Sequence, residues 1–241
     1  MRILRKNLVI KYFKKIIFII FTIFIFPKIN AFGAVSSFVG AKNWDHNEQR
    51  IPTGVLFNPN GTKMYSTGIS QNKIYMYNLT TPFTVTTATY ASKLCSLVDE
   101  HDALMFRFNS NGTEMFVLDT LATETIDKYS LTTAYDISTC SFVTGSSQDF
   151  EGGLEMRSFA FSNDGHKIFI YDAKGNSDKH SIKQYSLSSA FDLSNPTLTT
   201  DYIGHNGDLS SIEEFSQGLE FSSDGTKMFI TGNKEDTILS F

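Results

Sequence analysis

One hairpin pattern occurs four times along the chain, and it constrains the fold more than any other feature of the sequence. Each copy has a short apolar run, a four-residue turn that ends in glycine, and a second apolar run. Asn or Asp directly precedes each glycine, which favours a type I turn closed by a residue of positive φ. The copies read GVLFNPNGTKMYS from Gly54, MFRFNSNGTEMFV from Met105, SFAFSNDGHKIFI from Ser158 and GLEFSSDGTKMFI from Gly218.

A third strand follows each hairpin, and a fourth, less regular strand follows the first three. The third strands read IYMYNL, IDKYSL, IKQYSL and ILSF, from Ile74, Ile126, Ile182 and Ile238. Fourth strands are predicted over 88–97, 140–145 and 198–204. The turn glycines recur every 51 to 60 residues, and a four-stranded meander at this period is typical of a propeller blade. We predict an all-β fold, a β-propeller with four antiparallel blades in this chain.

The two ends of the repeat array lead to a prediction about ring closure. Residues 34–41, AVSSFVGA, have the pattern of a fourth strand, and the last unit stops within its third strand at Phe241. Pairing of Ser36–Gly40 with the strand that starts at Ile238 would complete the fourth blade and remove two sheet edges. Two interpretations stay open, a closed four-bladed ring and a chain that is part of a larger ring.

The first 33 residues have the order of a secretory signal peptide. They hold seven basic residues and no acidic one, and the apolar run Ile16–Phe26 precedes Pro27 and small residues. The run is shorter than the roughly 20 residues that span a bilayer, so we predict cleavage. The expected domains are a signal peptide, 1–33, and a propeller, 34–241. The expected location is secreted, periplasmic or at the cell surface, with no membrane attachment after cleavage.

The chain after this segment is acidic. It keeps 14 of the 21 basic residues against all 25 acidic ones. A surface of this charge repels phosphate backbones, so nucleic acid is not an expected partner.

Two cysteines, Cys95 and Cys140, lie in the predicted propeller. An oxidising compartment would allow them to form a disulfide. They stand at different distances from the next turn glycine, so the pairing cannot be deduced, and two small buried residues are an equal alternative. No CxxC or Cys/His spacing typical of a metal site is present.

The segment LEFSSDGTKMFITG, from Leu219, has an apolar strand, a turn ending in Asp-Gly, and an apolar strand with Phe. In this it resembles the blade core of secreted bacterial propellers of the YVTN and TolB-like classes. Third strands with Ile and Tyr match the same layout, and the resemblance covers residues 34–241 as a repeat pattern. It implies the propeller fold and no particular activity. The WD-repeat signature is absent, because Trp44-Asp45 lies in the wrong part of the unit.

Acidic residues recur in the connections that lead into the four first strands, which in a propeller meet at the mouth of the central channel. The candidates nearest the strands are Glu48, Asp102, Glu151 and Glu214. Carboxylate oxygens favour Ca²⁺ over transition metals, so a site for Ca²⁺ or for a basic ligand is the functional hypothesis. A solvated rim that keeps the protein soluble is the alternative.

Two charged residues stand in first strands at a position that is otherwise apolar. Arg107 and Glu220 align with Leu56 and Ala160 of the other repeats. In a four-bladed ring the two would face each other across the axis. An ion pair is the simpler expectation, and contacts with a ligand in the channel are the alternative.

No nucleophile–base motif is present in the sequence. We therefore expect a non-catalytic secreted propeller that acts as a binding scaffold for a protein or glycan partner, with no cofactor apart from possible Ca²⁺. One alternative is a propeller hydrolase or lyase acting on polysaccharide, with carboxylate pairs as general acid and base. Another is a fragment of a longer surface or adhesion protein.

Overall fold

The computed structural model describes residues 41, 51–69, 72–98, 103–119, 124–150, 155–173, 181–203, 218–231 and 238–241. The chain divides into two units, Met1–Gly40 and Ala41–Phe241, and the described residues all belong to the second. The predicted signal peptide and the predicted closing strand Ser36–Gly40 lie outside the described residues. Within the described ranges, no helix has the length and apolarity needed to cross a membrane.

Sixteen strands in the described ranges form four antiparallel sheets, which we call blades 1 to 4. Blade 1 holds β1 (Ile51–Phe57), β2 (Lys63–Ile69), β3 (Lys73–Leu79) and β4 (Ala88–Ser96). Blade 2 holds β5 (Ala103–Phe108), β6 (Glu114–Asp119), β7 (Thr125–Leu131), β8 (Cys140–Phe142) and β9 (Gln148–Asp149). Blade 3 holds β10 (Met156–Phe161), β11 (Lys167–Asp172), β12 (Ser181–Ser186) and β13 (Thr197–Ile203). Blade 4 holds β14 (Gly218–Phe221), β15 (Met228–Thr231) and β16 (Ile238–Ser240).

Apart from β9, the strands pair with their neighbours in chain order, so the blades have the meander order that the repeats predict. The all-β propeller prediction is confirmed, and the helical structure described is limited to two 3-10 turns, Val85–Thr87 and Ile137–Thr139. Blade 2 differs from the prediction of one fourth strand over 140–145. A turn closed by the bond from Ser146 N–H to Val143 O, with Gly145 at φ 78°, interrupts that strand. Pairing with β7 resumes in β9.

The hairpin glycines adopt the positive φ that the turn pattern requires, between 69° and 73°. In blades 1 to 3, an aromatic residue from the turn between the third and fourth strands covers this glycine. The pairs are Gly61 with Phe83, Gly112 with Tyr135, and Gly165 with Phe191. Each aromatic residue has φ between 57° and 59°, and its N–H donates to the glycine oxygen at 2.8–2.9 Å. A Cβ on any of these glycines would lie 2.3–2.4 Å from the ring.

The same turn aromatic residue also packs against the preceding blade. We call this contact an aromatic seam. It joins a ring from the second strand of one blade, a ring from the first strand of the next, and the turn aromatic residue of that next blade. The seam between blades 1 and 2 is Tyr65, Phe108 and Tyr135, with ring centroids 5.0 and 5.4 Å apart. The seam between blades 2 and 3 is Phe116, Phe161 and Phe191, at 4.8 and 5.2 Å. Tyr65, Phe116 and Phe191 are buried, and Phe108, Tyr135 and Phe161 are half-buried. Aromatic side chains of this size contribute a large part of the packing energy between blades.

A disulfide between Cys95 and Cys140 joins the outer strands of blades 1 and 2, 45 residues apart in sequence. Of the two alternatives that the sequence left open, the structure shows the disulfide. It links the same two blades that the first aromatic seam joins.

Substitution of Gly112 by alanine should destabilise the protein far more than substitution of Gly225. Both changes place alanine at positive φ, which costs about 1–2 kcal/mol. At Gly112 the new Cβ also meets the Tyr135 ring, which adds roughly 1–3 kcal/mol of overpacking, whereas at Gly225 the nearest atom is Asn163 Nδ2 at 3.7 Å. Urea unfolding of the two variants measures the difference, and equal losses would contradict the role assigned to the glycine–aromatic contact.

Reduction of the disulfide should lower the free energy of unfolding by up to about 4 kcal/mol, because it releases a loop of 45 residues in the unfolded chain. Thermal unfolding with and without reductant measures the effect. A Cys95→Ser, Cys140→Ser variant is the control, because its melting temperature should equal that of the reduced protein and should not respond to reductant.

Candidate functional site

The first strands of successive blades lie side by side, and side chains from one strand bind the backbone of the next. Thr53 Oγ1 donates to Ala103 O at 3.1 Å, between blades 1 and 2. Leu219 N–H donates to Ser158 Oγ at 2.9 Å, between blades 3 and 4. These contacts hold the first strands at fixed distances, so residues from different blades can meet at one place.

The structure brings together the two charged residues that the sequence singled out in first strands. Arg107 Nη2 lies 3.1 Å from Glu220 Oε2 and donates a second bond to Leu219 O at 3.1 Å. Blade 3 stands between the blades of the two residues, and its aligned residue, Ala160, lines the same cleft as both. The ion pair therefore joins groups 113 residues apart in the chain.

The pair is asymmetric in its exposure to solvent. The Arg107 side chain is 17% exposed, whereas that of Glu220 is 65% exposed. Burial lowers the pKa of Arg107, and the charge of Glu220 opposes this shift. Arg107 Nε is buried and has no hydrogen-bond partner among the described residues. The result is a fixed cation beside a carboxylate that solvent and small molecules can reach.

A cleft of about 210 Å³ opens at this ion pair. Ser110, Ser162 and Asn163, from the hairpin turns of blades 2 and 3, add polar groups to its wall. The remaining described lining is Phe108, Ala160, Phe161 and Phe191. The cleft thus has an apolar wall, several polar groups and one charge of each sign, which is the composition of a small-molecule site.

The four acidic candidates in the connections, Glu48, Asp102, Glu151 and Glu214, lie outside the described residues. Their role in binding Ca²⁺ or a basic ligand stays a prediction. Within the described ranges, no group of three or more His, Cys, Asp or Glu side chains could hold a metal ion.

A second charged region, which the sequence reasoning missed, lies between blades 2 and 3. Glu124, just before β7, accepts the Met156 N–H at 2.9 Å, and so joins the two blades. Asp172, at the end of β11, accepts the Glu155 N–H at 3.0 Å and lies 3.6 Å from Lys183 Nζ. We call Asp119, Glu124 and Asp172 the acidic seam. The sequence signal was present, because the second strands of blades 2 and 3 both end in Asp, at Asp119 and Asp172.

The pKa of Glu124 is raised, mainly because its carboxyl is partly buried. The Met156 N–H and the charge of Arg157 pull this pKa down, whereas the carboxylates of Asp172 and Asp119 push it up. Glu124 also has a positive φ of 43°, uncommon for a residue other than glycine. A shifted carboxyl on a strained backbone is frequent at functional sites and also occurs in structural ion-pair networks.

Comparison with solved structures shows that the fold is a β-propeller. The chain is similar to a putative 6-phosphogluconolactonase from Bacteroides uniformis, with 12% identity, a TM-score of 0.50, and coverage of 78% of this chain and 49% of that one. It is also similar to the periplasmic gluconolactonase PpgL of Pseudomonas aeruginosa, with 10% identity, a TM-score of 0.50, and coverage of 78% and 48%. The β-propeller domain of Cps50 (Swd1) from Myceliophteria thermophila has 13% identity, a TM-score of 0.50, and coverage of 79% and 53%.

The chain spans about half the length of these structures. No protein-family model matches the sequence. No curated protein sequence matches it either.

These neighbours correct one expectation from the sequence. The absence of a nucleophile–base motif favoured a non-catalytic scaffold, but proteins of this fold include some named as lactonases. A propeller gathers its polar groups from different blades, as Arg107 and Glu220 show, so a local motif is no requirement for catalysis. The preference for a non-catalytic scaffold is therefore wrong.

Replacement of Glu124 by glutamine should stabilise the protein at pH 7 and have little effect at pH 4. The raised pKa means that folding opposes ionisation of this carboxyl. The protein is most stable while this carboxyl is protonated. That stability is lost as the pH rises from the ordinary glutamate pKa of 4.5 through the raised pKa of Glu124 in the folded protein. Glutamine keeps an acceptor for the Met156 N–H without a charge. Urea unfolding at the two pH values tests this, with Asp149→Asn as a control for loss of an exposed carboxylate. A variant less stable than wild type at pH 7 would contradict the assignment.

Proposed function

We propose that this chain is a propeller hydrolase that opens the cyclic ester of a sugar acid in the cleft at Arg107 and Glu220. The observation that carries the proposal is the meeting of a buried guanidinium and an accessible carboxylate, 3.1 Å apart, in a cleft of about 210 Å³. Ester hydrolysis needs an acceptor for the proton of the attacking water and a cation for the charge that develops on the carbonyl oxygen. Glu220 and Arg107 fit these two needs.

In this mechanism Glu220 removes a proton from water as the water oxygen bonds to the carbonyl carbon. The Arg107 guanidinium stabilises the negative charge on the carbonyl oxygen. Collapse of the intermediate breaks the ring C–O bond, and the departing oxygen takes the proton that Glu220 holds, which restores the carboxylate. The product is a hydroxy acid, which releases one proton to solvent at neutral pH. Arg107 donates hydrogen bonds to Phe106 O and Leu219 O, which hold the guanidinium in place while Glu220 acts as the base.

The number of carboxylates in the cleft favours an ester over a glycosidic bond as the target. Most glycosidases need two carboxyl groups, about 5–10 Å apart, on either side of the bond. Among the described residues that line this cleft, Glu220 is the one carboxylate. The substrate class is suggested by the structural neighbours named gluconolactonase and 6-phosphogluconolactonase, although that likeness concerns the fold alone.

Export from the cytoplasm is part of the proposal. The disulfide between Cys95 and Cys140 supports an oxidising compartment such as the periplasm. An oxidising compartment agrees with the predicted signal peptide. On blade pattern, the secreted YVTN and TolB-like classes of propellers remain the predicted relatives. A protein or glycan partner also stays a prediction.

The purified protein should accelerate the hydrolysis of glucono-δ-lactone or its 6-phosphate, followed by proton release in a pH-stat. Glu220→Gln should lower kcat/KM by roughly 10²- to 10⁴-fold, the range for loss of a general base. Asp149→Asn, which changes an exposed carboxylate of blade 2, should have the wild-type rate. The proposal fails if wild type does not exceed the buffer rate with either lactone, or if Glu220→Gln keeps full activity.

A further inference from the structure

Two of the four hairpin turns contain an Asn-Gly pair, which is prone to spontaneous loss of ammonia. The pairs are Asn60-Gly61 in blade 1 and Asn111-Gly112 in blade 2, whereas blades 3 and 4 have Asp-Gly at the same place. A third Asn-Gly pair, at 206–207, lies outside the described residues. Asn60 and Asn111 are both exposed, so water reaches them. Glycine has no side chain to shield its amide nitrogen, which leaves the carboxamide of the preceding asparagine open to attack.

The reaction of such a pair needs no partner other than water. The glycine nitrogen gives up its proton and bonds to Cγ of the asparagine. The bond from Cγ to Nδ2 breaks, and the amino group takes that proton and leaves as ammonia. The product is a cyclic imide. Water that cleaves the imide bond at Cγ gives aspartate, and water that cleaves it at the backbone carbonyl carbon gives isoaspartate, whose main chain runs through Cβ and Cγ.

The closed turn keeps the glycine nitrogen from attacking. Gly61 N–H donates to Asn58 O at 2.9 Å, and Gly112 N–H donates to Asn109 O at 3.1 Å. Each bond stabilises the protonated nitrogen, which is not the nucleophile. Neither asparagine before the glycine has a positive φ, so the turns are type I, and the ψ of that asparagine is about 0°. This ψ places the glycine nitrogen away from Cβ, whereas ring closure needs the two on the same side of the Cα–C bond.

The asparagine side chain is held by the residue after the glycine. Asn60 Oδ1 accepts the Thr62 N–H at 3.1 Å and the Thr62 hydroxyl at 2.6 Å. Asn111 Oδ1 accepts the same two groups of Thr113 at 3.0 and 2.6 Å. In blade 1, Asn58 Nδ2 donates to Thr62 Oγ1 at 3.2 Å, which directs the hydroxyl proton to Asn60. Rotation of ψ toward ring closure separates the carboxamide from both donors, so the reaction requires an open hairpin.

The aspartate product fits the turn, because blades 3 and 4 contain aspartate at this place. Asp224 Oδ1 accepts the Thr226 N–H at 3.1 Å and the Thr226 hydroxyl at 2.8 Å. Asp164 Oδ1 accepts the His166 N–H at 3.1 Å. The two bonds of Asp224 repeat those of Asn60 in blade 1, so aspartate restores the hairpin.

The isoaspartate product does not fit, because it adds one carbon atom to the main chain directly before a glycine that an aromatic ring covers. In blade 2 the Tyr135 N–H donates to Gly112 O at 2.8 Å, and a Cβ at Gly112 would lie 2.4 Å from the ring. Displacement of this glycine breaks the bond and moves the ring. Tyr135 is also part of the aromatic seam between blades 1 and 2. Isoaspartate at residue 111 therefore disturbs two blades.

From this geometry we propose that Asn60 and Asn111 are modification sites, protected while their hairpins are closed and converted to aspartate or isoaspartate when a hairpin opens. Aspartate lets the hairpin close again, whereas isoaspartate keeps it open. A transient opening of blade 1 or blade 2 thereby becomes permanent in the isoaspartate fraction. The proposal does not depend on the hydrolase activity.

The rate of ammonia loss in the intact protein tests the protection. Blocked peptides with the sequences of residues 58–63, NPNGTK, and 109–114, NSNGTE, have the same neighbours without the fold. At the same mildly alkaline pH and temperature, each asparagine should react at least about tenfold more slowly in the protein than in its peptide, because local opening costs free energy. Mass spectrometry of a proteolytic digest measures the rates, and chromatography separates the aspartate and isoaspartate products.

Thr113→Val removes the hydroxyl that holds Asn111 and leaves the backbone N–H in place. Loss of ammonia should become roughly two- to tenfold faster at Asn111, the range for loss of one hydrogen bond. The rate at Asn60 should stay unchanged, which makes this site the control within the same molecule. Thr62→Val should have the reverse effect. Near-ultraviolet circular dichroism checks that both variants remain folded.

The two products are compared through their effect on stability. The variant with Asn60→Asp and Asn111→Asp should unfold at the same urea concentration as wild type. The matched variant with Asn60→Ala and Asn111→Ala loses the acceptor and should unfold at a lower one. Wild type that is modified in urea and then refolded should carry less isoaspartate in its native fraction than in the fraction that fails to refold.

Three results would overturn the proposal. The first is an equal rate in the intact wild type and in the peptides, a comparison that uses no variant. The second is an unchanged rate at Asn111 in folded Thr113→Val protein. The third is isoaspartate shared equally between the native and the non-refolding fractions, or an aspartate variant as unstable as the alanine variant.

Discussion

The contact between a turn glycine and the aromatic ring that covers it supports most of this structure. Within a blade, it fixes the turn of the hairpin against the turn between the third and fourth strands, through one hydrogen bond and one ring. Between blades, the same ring is the third member of an aromatic seam, as Tyr135 and Phe191 show. The turn geometry inside a blade and the packing between blades therefore depend on the same glycine and ring. A side chain on the glycine would displace the ring and so disturb both.

The hairpins and the meander order were predictable because both follow from local patterns. Apolar runs bounded by Asn-Gly or Asp-Gly turns specify antiparallel pairs without reference to distant residues. The aromatic seams were not predicted, although Phe83, Tyr135 and Phe191 stand at matching places in their repeats. Their role depends on a left-handed backbone at a residue other than glycine, which sequence pattern alone does not reveal. The interruption of the fourth strand of blade 2 at Gly145 was missed for a similar reason.

The candidate site was predictable in part. Arg107 and Glu220 stood out because each places a charge at a repeat position that is otherwise apolar. This is visible from the alignment of the repeats, whatever the number of blades in the ring. Their meeting depends on how three blades pack, which the alignment of repeats does not reveal. The acidic seam was not predicted because Asp119 and Asp172 end strands, whereas the candidate carboxylates stand in the connections between blades. The preference for a non-catalytic scaffold failed because it treated the lack of a local motif as informative in a fold that assembles sites from distant strands.

The contact between Arg107 and Glu220 makes the cleft depend on the packing of three blades. Arg107 lies on β5 of blade 2 and Glu220 on β14 of blade 4, with β10 of blade 3 between them. Repeat units of this kind contact mainly their neighbours and can open locally without unfolding of the whole domain. Because Glu220 lies on β14, an opening between blades 3 and 4 separates it from Arg107, and the cleft would exist only in the fraction of molecules whose blade 4 is docked.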